Sequence, residues 1–187
     1  NSISIATTML VTTTFISKYG TEAIAGYGVC ARLEQTLIPL AFGIGGVLTS
    51  AVGTNFGAEQ FSRARKAAWL GALLIGILAG LIGMTVFISP SLWLDFFTTN
   101  PEAYIIGALY LGIVGPFFPI FAFGKTLYFA SQGTGNMIIP IFGGITRLVI
   151  VSIIGFISVY YSLDIKILFF GVGIAMSSVG LILFINM

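Results

Sequence analysis

The sequence predicts an all-α integral membrane protein, a bundle of six transmembrane helices. Six long apolar stretches fill almost the whole chain of 187 residues, 57% of the residues are hydrophobic, and only 7% are charged. Soluble domains average about 45–50% apolar residues, and the mean hydropathy here is +1.07. A barrel is excluded because barrel strands are about 10 residues long with alternating polarity, whereas these stretches are longer and do not alternate.

Each apolar stretch is long enough to cross a hydrocarbon core of about 30 Å as a helix. We predict spans at residues 1–17, 23–53, 67–90, 102–131, 138–161 and 165–187. The connectors are short, as expected for antiparallel neighbours, and residues 57–66 resemble an amphipathic surface piece. Because the chain begins without Met and ends inside an apolar run, we expect a fragment cut within or near a span at both ends.

Composition excludes several classes of function. The net charge of +2, without a basic tract, gives no reason to expect nucleic acid as a partner. The chain has no histidine and one cysteine, Cys30, so metal sites, imidazole proton relays and a disulfide framework are not expected. No phosphate-binding loop, Ser/His/Asp set or hydrolytic carboxylate pair is present. We therefore expect neither an enzyme nor a bound cofactor.

The distribution of cations predicts how the chain is oriented in the membrane. The connector at 54–66 has three cations, whereas the connector at 91–102 has two carboxylates and no cation. Cytoplasmic loops carry an excess of Lys and Arg, so we expect 54–66 to be cytoplasmic and 91–102 extracellular, with Trp93 at the interface. The chain is then a multi-pass protein of the plasma membrane.

Proline and small residues shape the predicted helices. Pro39 removes the helical partner of the Gln35 carbonyl, and Pro116 and Pro119 do the same for the carbonyls four residues before them. We therefore expect the helices to be interrupted or kinked at these prolines. In the third span, small residues recur every four positions and should form a close helix contact: Ala72, Gly76 and Gly80.

Ionisable residues within the spans are candidates for a transport pathway, because they are costly in the membrane and face bundle interiors or wet cavities. Arg32 and Glu34 lie in the second span, two residues apart and therefore on different sides of the helix. They are either solvated charges at an outer rim or, with Gln35, part of an outward-facing vestibule. There the carboxylate could attract a cationic solute or exchange a proton.

Two cations lie in the later spans. Lys125 is expected to extend towards the cytoplasmic interface, with Tyr128 among the aromatic residues near it, which are able to bind an organic cation through their ring faces. Arg147 lies deeper and is expected to be paired. Glu34 is not expected to be the partner of either cation, because it belongs to the outer half of the membrane.

Two ordered groups of motifs resemble the multidrug and toxic compound extrusion (MATE) family. The first is Ala31-Arg32-Leu33-Glu34-Gln35, then Pro39, then Val52-Gly53-Thr54-Asn55-Phe56-Gly57-Ala58. The second is Phe97-Thr98-Thr99-Asn100-Pro101-Glu102, a helix with Tyr110-Leu111, then Gln132-Gly133-Thr134-Gly135-Asn136, Pro140 and Arg147. The resemblance covers essentially the whole chain and is greatest to the bacterial branch of DNA-damage-inducible (DinF-like) members.

The resemblance implies a 12-helix transporter of two six-helix lobes, of which this chain supplies the C-terminal lobe. Its partners would be the lipid bilayer, the N-terminal lobe and small organic cations, exported in exchange for Na⁺ or H⁺ by alternating access. Some members have acidic cation-site residues in helices seven and ten. Here the first span has no carboxylate, and the matching part of the fourth reads Phe123, Gly124, Lys125. In the branch resembled, coupling is credited to an aspartate of the first helix, outside this chain.

Two alternatives to the drug antiporter remain open. One is a lipid-linked oligosaccharide flippase of the same superfamily, although such proteins have more basic residues around their central cavity. The other is a membrane scaffold that transports nothing, for which Arg32, Glu34 and Arg147 would be structural or lie at the lipid rim.

Overall fold

The structure, a computed structural model, describes residues 2–186, with the side chains of residues 2, 40 and 41 left out. This part of the chain is helical almost throughout, which confirms the predicted all-α fold. The α-helices are α1 Ser2–Ile16, α2 Thr21–Gly57, α3 Phe61–Ile88, α4 Ser91–Leu94, α5 Pro101–Val114, α6 Phe118–Thr134, α7 Ile138–Tyr160 and α8 Ile165–Ile185. Short 3₁₀ segments cover Ser17–Tyr19 and Gly115–Phe117.

Five helical segments in the described residues are long and apolar enough to cross a membrane: α2, α3, the α5–α6 pair, α7 and α8. Helix α1 has 15 residues and is about 22 Å long, shorter than a hydrocarbon core of about 30 Å. Helix α2 is longer than expected, with 37 residues. It therefore extends beyond the apolar layer or is tilted within it.

The fourth segment is broken where its prolines lie. Helix α5 ends at Val114, a 3₁₀ turn covers Gly115–Phe117, and α6 begins at Phe118. Pro116 lies in that turn and Pro119 in the first turn of α6, where the lack of a backbone N–H is tolerated. Helix α2, in contrast, runs through Pro39 as one continuous α-helix, so it is not interrupted there, and the kink expected at Pro39 stays a prediction.

Several predicted connectors are shorter than expected because the helices extend into them. Residues 57–66 are not a separate surface piece: α2 continues to Gly57 and α3 begins at Phe61. The turn after α6 begins only at Gly135, whose φ of 76° lies in the left-handed region that glycine tolerates. At the start of α5 the Asn100 side chain accepts hydrogen bonds from two backbone N–H groups and Pro101 follows it, a common helix N-terminus.

Helix α6 lies at the centre of the bundle and packs against α2, α3 and α8. Glycines bring these backbones together. A Cβ added to Gly124 would lie 2.5 Å from the Cα of Gly180 in α8, and one added to Gly133 would lie 2.6 Å from the Thr49 carbonyl in α2. The predicted stripe on α3 also packs closely: Ala72 is fully buried, and Gly76 and Gly80 face Pro119.

Helices α1 and α7 form the side of the bundle opposite α3. Helix α7 packs against α8 and α1, and α1 has few contacts with the other helices. Apolar side chains of α7 are exposed on its outer face, among them Phe142, Ile153 and Phe156, as expected for a surface in contact with lipid. The space between α1, α2, α6 and α7 holds the polar residues described below.

We expect Gly124→Ala to destabilise the full-length protein by about 1–3 kcal/mol, because the added methyl group forces α6 away from α8. The matched control is Gly112→Ala, since a Cβ at Gly112 would meet nothing within 4 Å. Alanine favours the helix over glycine by up to about 1 kcal/mol, so the control should be neutral or stabilising. Thermal unfolding of the detergent-solubilised protein measures both, and equal shifts in the two variants would contradict the proposed close contact.

Candidate transport site

Glu34 lies on the inner side of α2 and binds a tyrosine of α5. The Tyr110 hydroxyl donates a hydrogen bond to Glu34 Oε1. Tyr110 is fully buried, and its ring packs edge-to-face on Tyr27 and Phe169, with centroid distances of 5.4 and 4.9 Å. These aromatic contacts fix the hydroxyl, so the position of the carboxylate is set by packing rather than by an ion pair.

Glu34 lines a small, partly open cavity between α1, α2, α6 and α7. This Glu34 cavity encloses about 40 Å³, and its lining includes Glu34, Gln35, Tyr27, Thr12, Phe121 and Arg147. A volume above about 10–15 Å³ holds a water molecule. The cavity can therefore accept a water or a small cationic group beside the carboxylate.

A second cavity lies beside the first. This Lys125 cavity encloses about 20 Å³ and is lined by polar groups of α1, α6 and α7, among them Lys125, Arg147, Tyr128, Ser4 and Thr8. The two cavities share Ile5 and Arg147. One cavity thus contains a carboxylate and the other two cations, with Arg147 at the boundary between them.

The expectation that Arg147 is paired is wrong for the part of the chain that the structure describes. There no carboxylate oxygen lies within 4.0 Å of its guanidinium, and its buried Nε has no hydrogen-bond partner. Its Cζ lies 5.1 Å from the centroid of the Phe121 ring, which gives a cation–π contact. The expectation that depth separates Glu34 from Arg147 is also wrong, because both line the same cavity.

The sequence suggested that Lys125 extends towards the C-terminal end of α6, the end expected at the cytoplasmic interface, but the side chain extends the other way. Its Nζ lies 5.5 Å from the centroid of Phe121, four residues earlier in the chain. Helical side chains tilt towards the N-terminus, and here that tilt directs the ammonium group into the bundle. Lys125 and Arg147 therefore lie on the same aromatic ring.

The other candidate residues occupy different places. Arg32 is exposed, with its Cζ 5.7 Å from the centroid of Phe97, and is not part of either cavity. Gln35 lines the Glu34 cavity and donates a hydrogen bond of 3.6 Å to Met9 Sδ. Tyr128 lines the Lys125 cavity, and its hydroxyl accepts a hydrogen bond of 2.9 Å from the Gln132 side chain.

Reasoning from the sequence noted Tyr110 only as part of a family motif, missed its contact with Glu34 and the role of Tyr27, and did not place both cations on Phe121. Tyr110 and Tyr27 lie within apolar runs, where an aromatic residue reads as ordinary packing. One signal could have found the contact. The hydroxyl of a tyrosine buried within a span needs a hydrogen-bond partner, and few carboxylates lie within the spans to accept from it. Phe121 is separated from Lys125 by four residues, a spacing at which helical side chains meet.

An all-helical membrane bundle with ionisable side chains around cavities is the arrangement of a lobe of a membrane transporter. Comparison with known proteins identifies the kind of transporter. The MatE family model matches residues 1–157, which is most of the chain. The chain belongs to the MatE family, the multidrug and toxic compound extrusion transporters, and the resemblance drawn from its motifs is confirmed.

Two curated relatives are similar to this chain. The probable multidrug resistance protein NorM of Thermotoga maritima is 31% identical over 124 residues, which are 65% of this chain and 26% of that protein. The probable multidrug resistance protein YoeA of Bacillus subtilis is 22% identical over 140 residues, 75% of this chain and 30% of that protein. The chain thus matches less than a third of either relative.

A solved structure has the same fold. It is a MOP superfamily transporter from Pyrococcus furiosus, which superposes with a TM-score of 0.74 at 18% sequence identity. The match covers 97% of this chain and 41% of that one. The helical arrangement described above is therefore that of a part of a larger fold.

We expect Tyr110→Phe to destabilise the full-length protein by about 1.5–3 kcal/mol, because it leaves the half-buried Glu34 carboxylate without its donor. Tyr160→Phe is the matched control, since Tyr160 is exposed. In a double-mutant cycle with Glu34→Ala, which removes the acceptor, measured by thermal unfolding, the two changes should be strongly non-additive. Additive effects would show that the hydrogen bond contributes nothing to stability.

Proposed function

We propose that this chain is the C-terminal lobe of a secondary active transporter that exports organic cations in exchange for Na⁺ or H⁺. The observation that carries the proposal is Glu34, which lines a partly open cavity and accepts a hydrogen bond from the buried Tyr110. A carboxylate in a poorly solvated cavity attracts a cation and can exchange a proton. The multidrug-resistance names of both relatives support the same substrate class.

The remaining parts of the proposal follow from the whole transporter. The N-terminal lobe is the partner across the central cavity, and alternating access arises from movement of one lobe against the other. The protein lies in the plasma membrane, with loop 54–66 cytoplasmic and loop 91–102 extracellular. No cofactor other than the coupling ion is required, and the protein acts as a transporter rather than an enzyme.

One observation favours a second candidate, the lipid-linked oligosaccharide flippase. The Lys125 cavity is lined by two cations and no carboxylate, and a cationic site suits an anionic pyrophosphate group. Its volume of about 20 Å³ and the few basic residues in the spans favour the cation exporter. Ethidium transport separates the two candidates, because a flippase has no reason to move this cation.

The test is ethidium efflux from cells that express the full-length protein, with the Na⁺ and H⁺ gradients collapsed separately. We expect efflux to stop when one gradient is removed and to persist when the other is removed, which identifies the coupling ion. Efflux that survives the loss of both gradients would contradict antiport. No efflux at all, with the protein present in the membrane, would favour the flippase.

We expect Glu34→Gln to reduce ethidium efflux about tenfold with little loss of protein from the membrane. The amide is of the same size and its oxygen still accepts from Tyr110, so the variant loses the charge and keeps the contact. Loss of a buried charge-assisted interaction costs about 1.5–3 kcal/mol, which corresponds to a reduction of about tenfold or more. Glu102→Gln is the control, since Glu102 is exposed at the start of α5. Unchanged efflux in Glu34→Gln would show that cation export does not depend on this carboxylate.

A further inference from the structure

Two cations within the bundle lack an anionic partner in the described part of the chain. Lys125 and Arg147 line one cavity together with Tyr128, Ser4 and Thr8, and none of its lining residues is acidic. Both cations lie on the Phe121 ring, at 5.5 and 5.1 Å from its centroid. Two like charges at this proximity repel each other, and each is costly in the membrane. An anion between them would relieve both costs.

The cavity also contains a buried hydrogen-bond donor that has no acceptor. The buried Nε of Arg147 has no partner, and an arginine offers donors in a fixed fork that matches a carboxylate. The Thr8 hydroxyl is not available, because it already donates to the Ser4 carbonyl at 2.7 Å. The Tyr128 hydroxyl accepts from Gln132 and keeps its own proton to donate, so the donors of the site are the two cations and this phenol.

The size of the site limits what it accepts. A cavity of about 20 Å³ holds a group of one or two water-sized atoms, as in a carboxylate. Through Arg147 it adjoins the cavity of about 40 Å³ in which the Glu34 carboxylate lies. Neither cavity holds an entire drug molecule, so each takes one functional group. The two groups must have opposite charge.

We propose that Lys125 and Arg147 form a binding site for the carboxylate of a zwitterionic solute whose cationic group faces Glu34. This inference rests on the proposed function and narrows its substrate class. Glu34 selects for the cation, and the Lys125 cavity adds affinity only when the solute also carries an anion. Neutralising either cation should then weaken the binding of zwitterions and leave simple cations unaffected.

Rhodamine 110 and rhodamine 123 are suitable probes, because they differ only in a free carboxylate against its methyl ester. Their binding to the purified full-length protein is measured by fluorescence anisotropy, for the wild type, Lys125→Gln, Arg147→Gln and the control Lys66→Gln. Lys66 lies near the start of α3 and is exposed. Thermal unfolding of each variant verifies that it is folded.

We expect each cavity variant to weaken the binding of rhodamine 110 about tenfold or more, the effect of one lost charge-assisted hydrogen bond. The binding of rhodamine 123 should stay unchanged, and Lys66→Gln should affect neither dye. Unchanged rhodamine 110 binding in both cavity variants would overturn the proposal. Equal losses for both dyes would also overturn it, because they would mean that the cations serve the fold or pair with a carboxylate of the other lobe.

The same dyes separate this inference from the proposed function. Rhodamine 123 has no carboxylate, so its export from wild-type cells tests cation transport alone. If rhodamine 123 is not exported but rhodamine 110 binding depends on Lys125 and Arg147, the proposed function fails and the anion site stands. If rhodamine 123 is exported and the two dyes lose affinity together, only the anion site fails.

Discussion

Close approach of helix backbones around α6 is the constraint on which the rest of this fold depends. In a bilayer, lipid tails are as apolar as the helices, so burial of apolar side chains does not drive helices together. Contact between small residues must supply the packing, and α6 meets α8 at Gly124 and α2 at Gly133. Lys125 follows Gly124 directly. The contact that holds α6 in the bundle therefore also directs the ammonium group towards α1 and α7.

The helices could be predicted from the sequence because hydropathy over about 20 residues adds up to a strong signal. Their ends could not. Residues 57–66 contain several polar side chains and resembled a loop, yet α3 begins at Phe61 and includes Arg63 and Arg65 in its first turns. Arginine and alanine favour helices as strongly as most apolar residues. Polarity shows where a chain leaves the lipid, which is a different point from where its helix ends.

The charged residues of the site could also be found from the sequence, but their partners could not. Glu34 and Tyr110 are 76 residues apart, and only the packing of α5 on α2 joins them. Depth was misjudged because it was counted along each helix from its expected ends. Glu34 lies about 20 Å along α2 from Thr21, and Arg147 about 14 Å along α7 from Ile138. Only the packing of the helices shows that the two residues line one cavity.

The unbalanced charge of the site has a consequence for how such a lobe could work. Around the two adjoining cavities, Glu34, Lys125 and Arg147 together have more positive than negative charge, and the carboxylate already accepts from Tyr110. Within the described residues these charges do not neutralise one another through a direct ion pair. The electrostatic free energy of such a site is lowest when an ion or solute is bound, because the bound group supplies the missing charges. If the lobe works as we propose, binding and release change the electrostatic cost of the cavity, and this change favours one orientation of the lobes over the other.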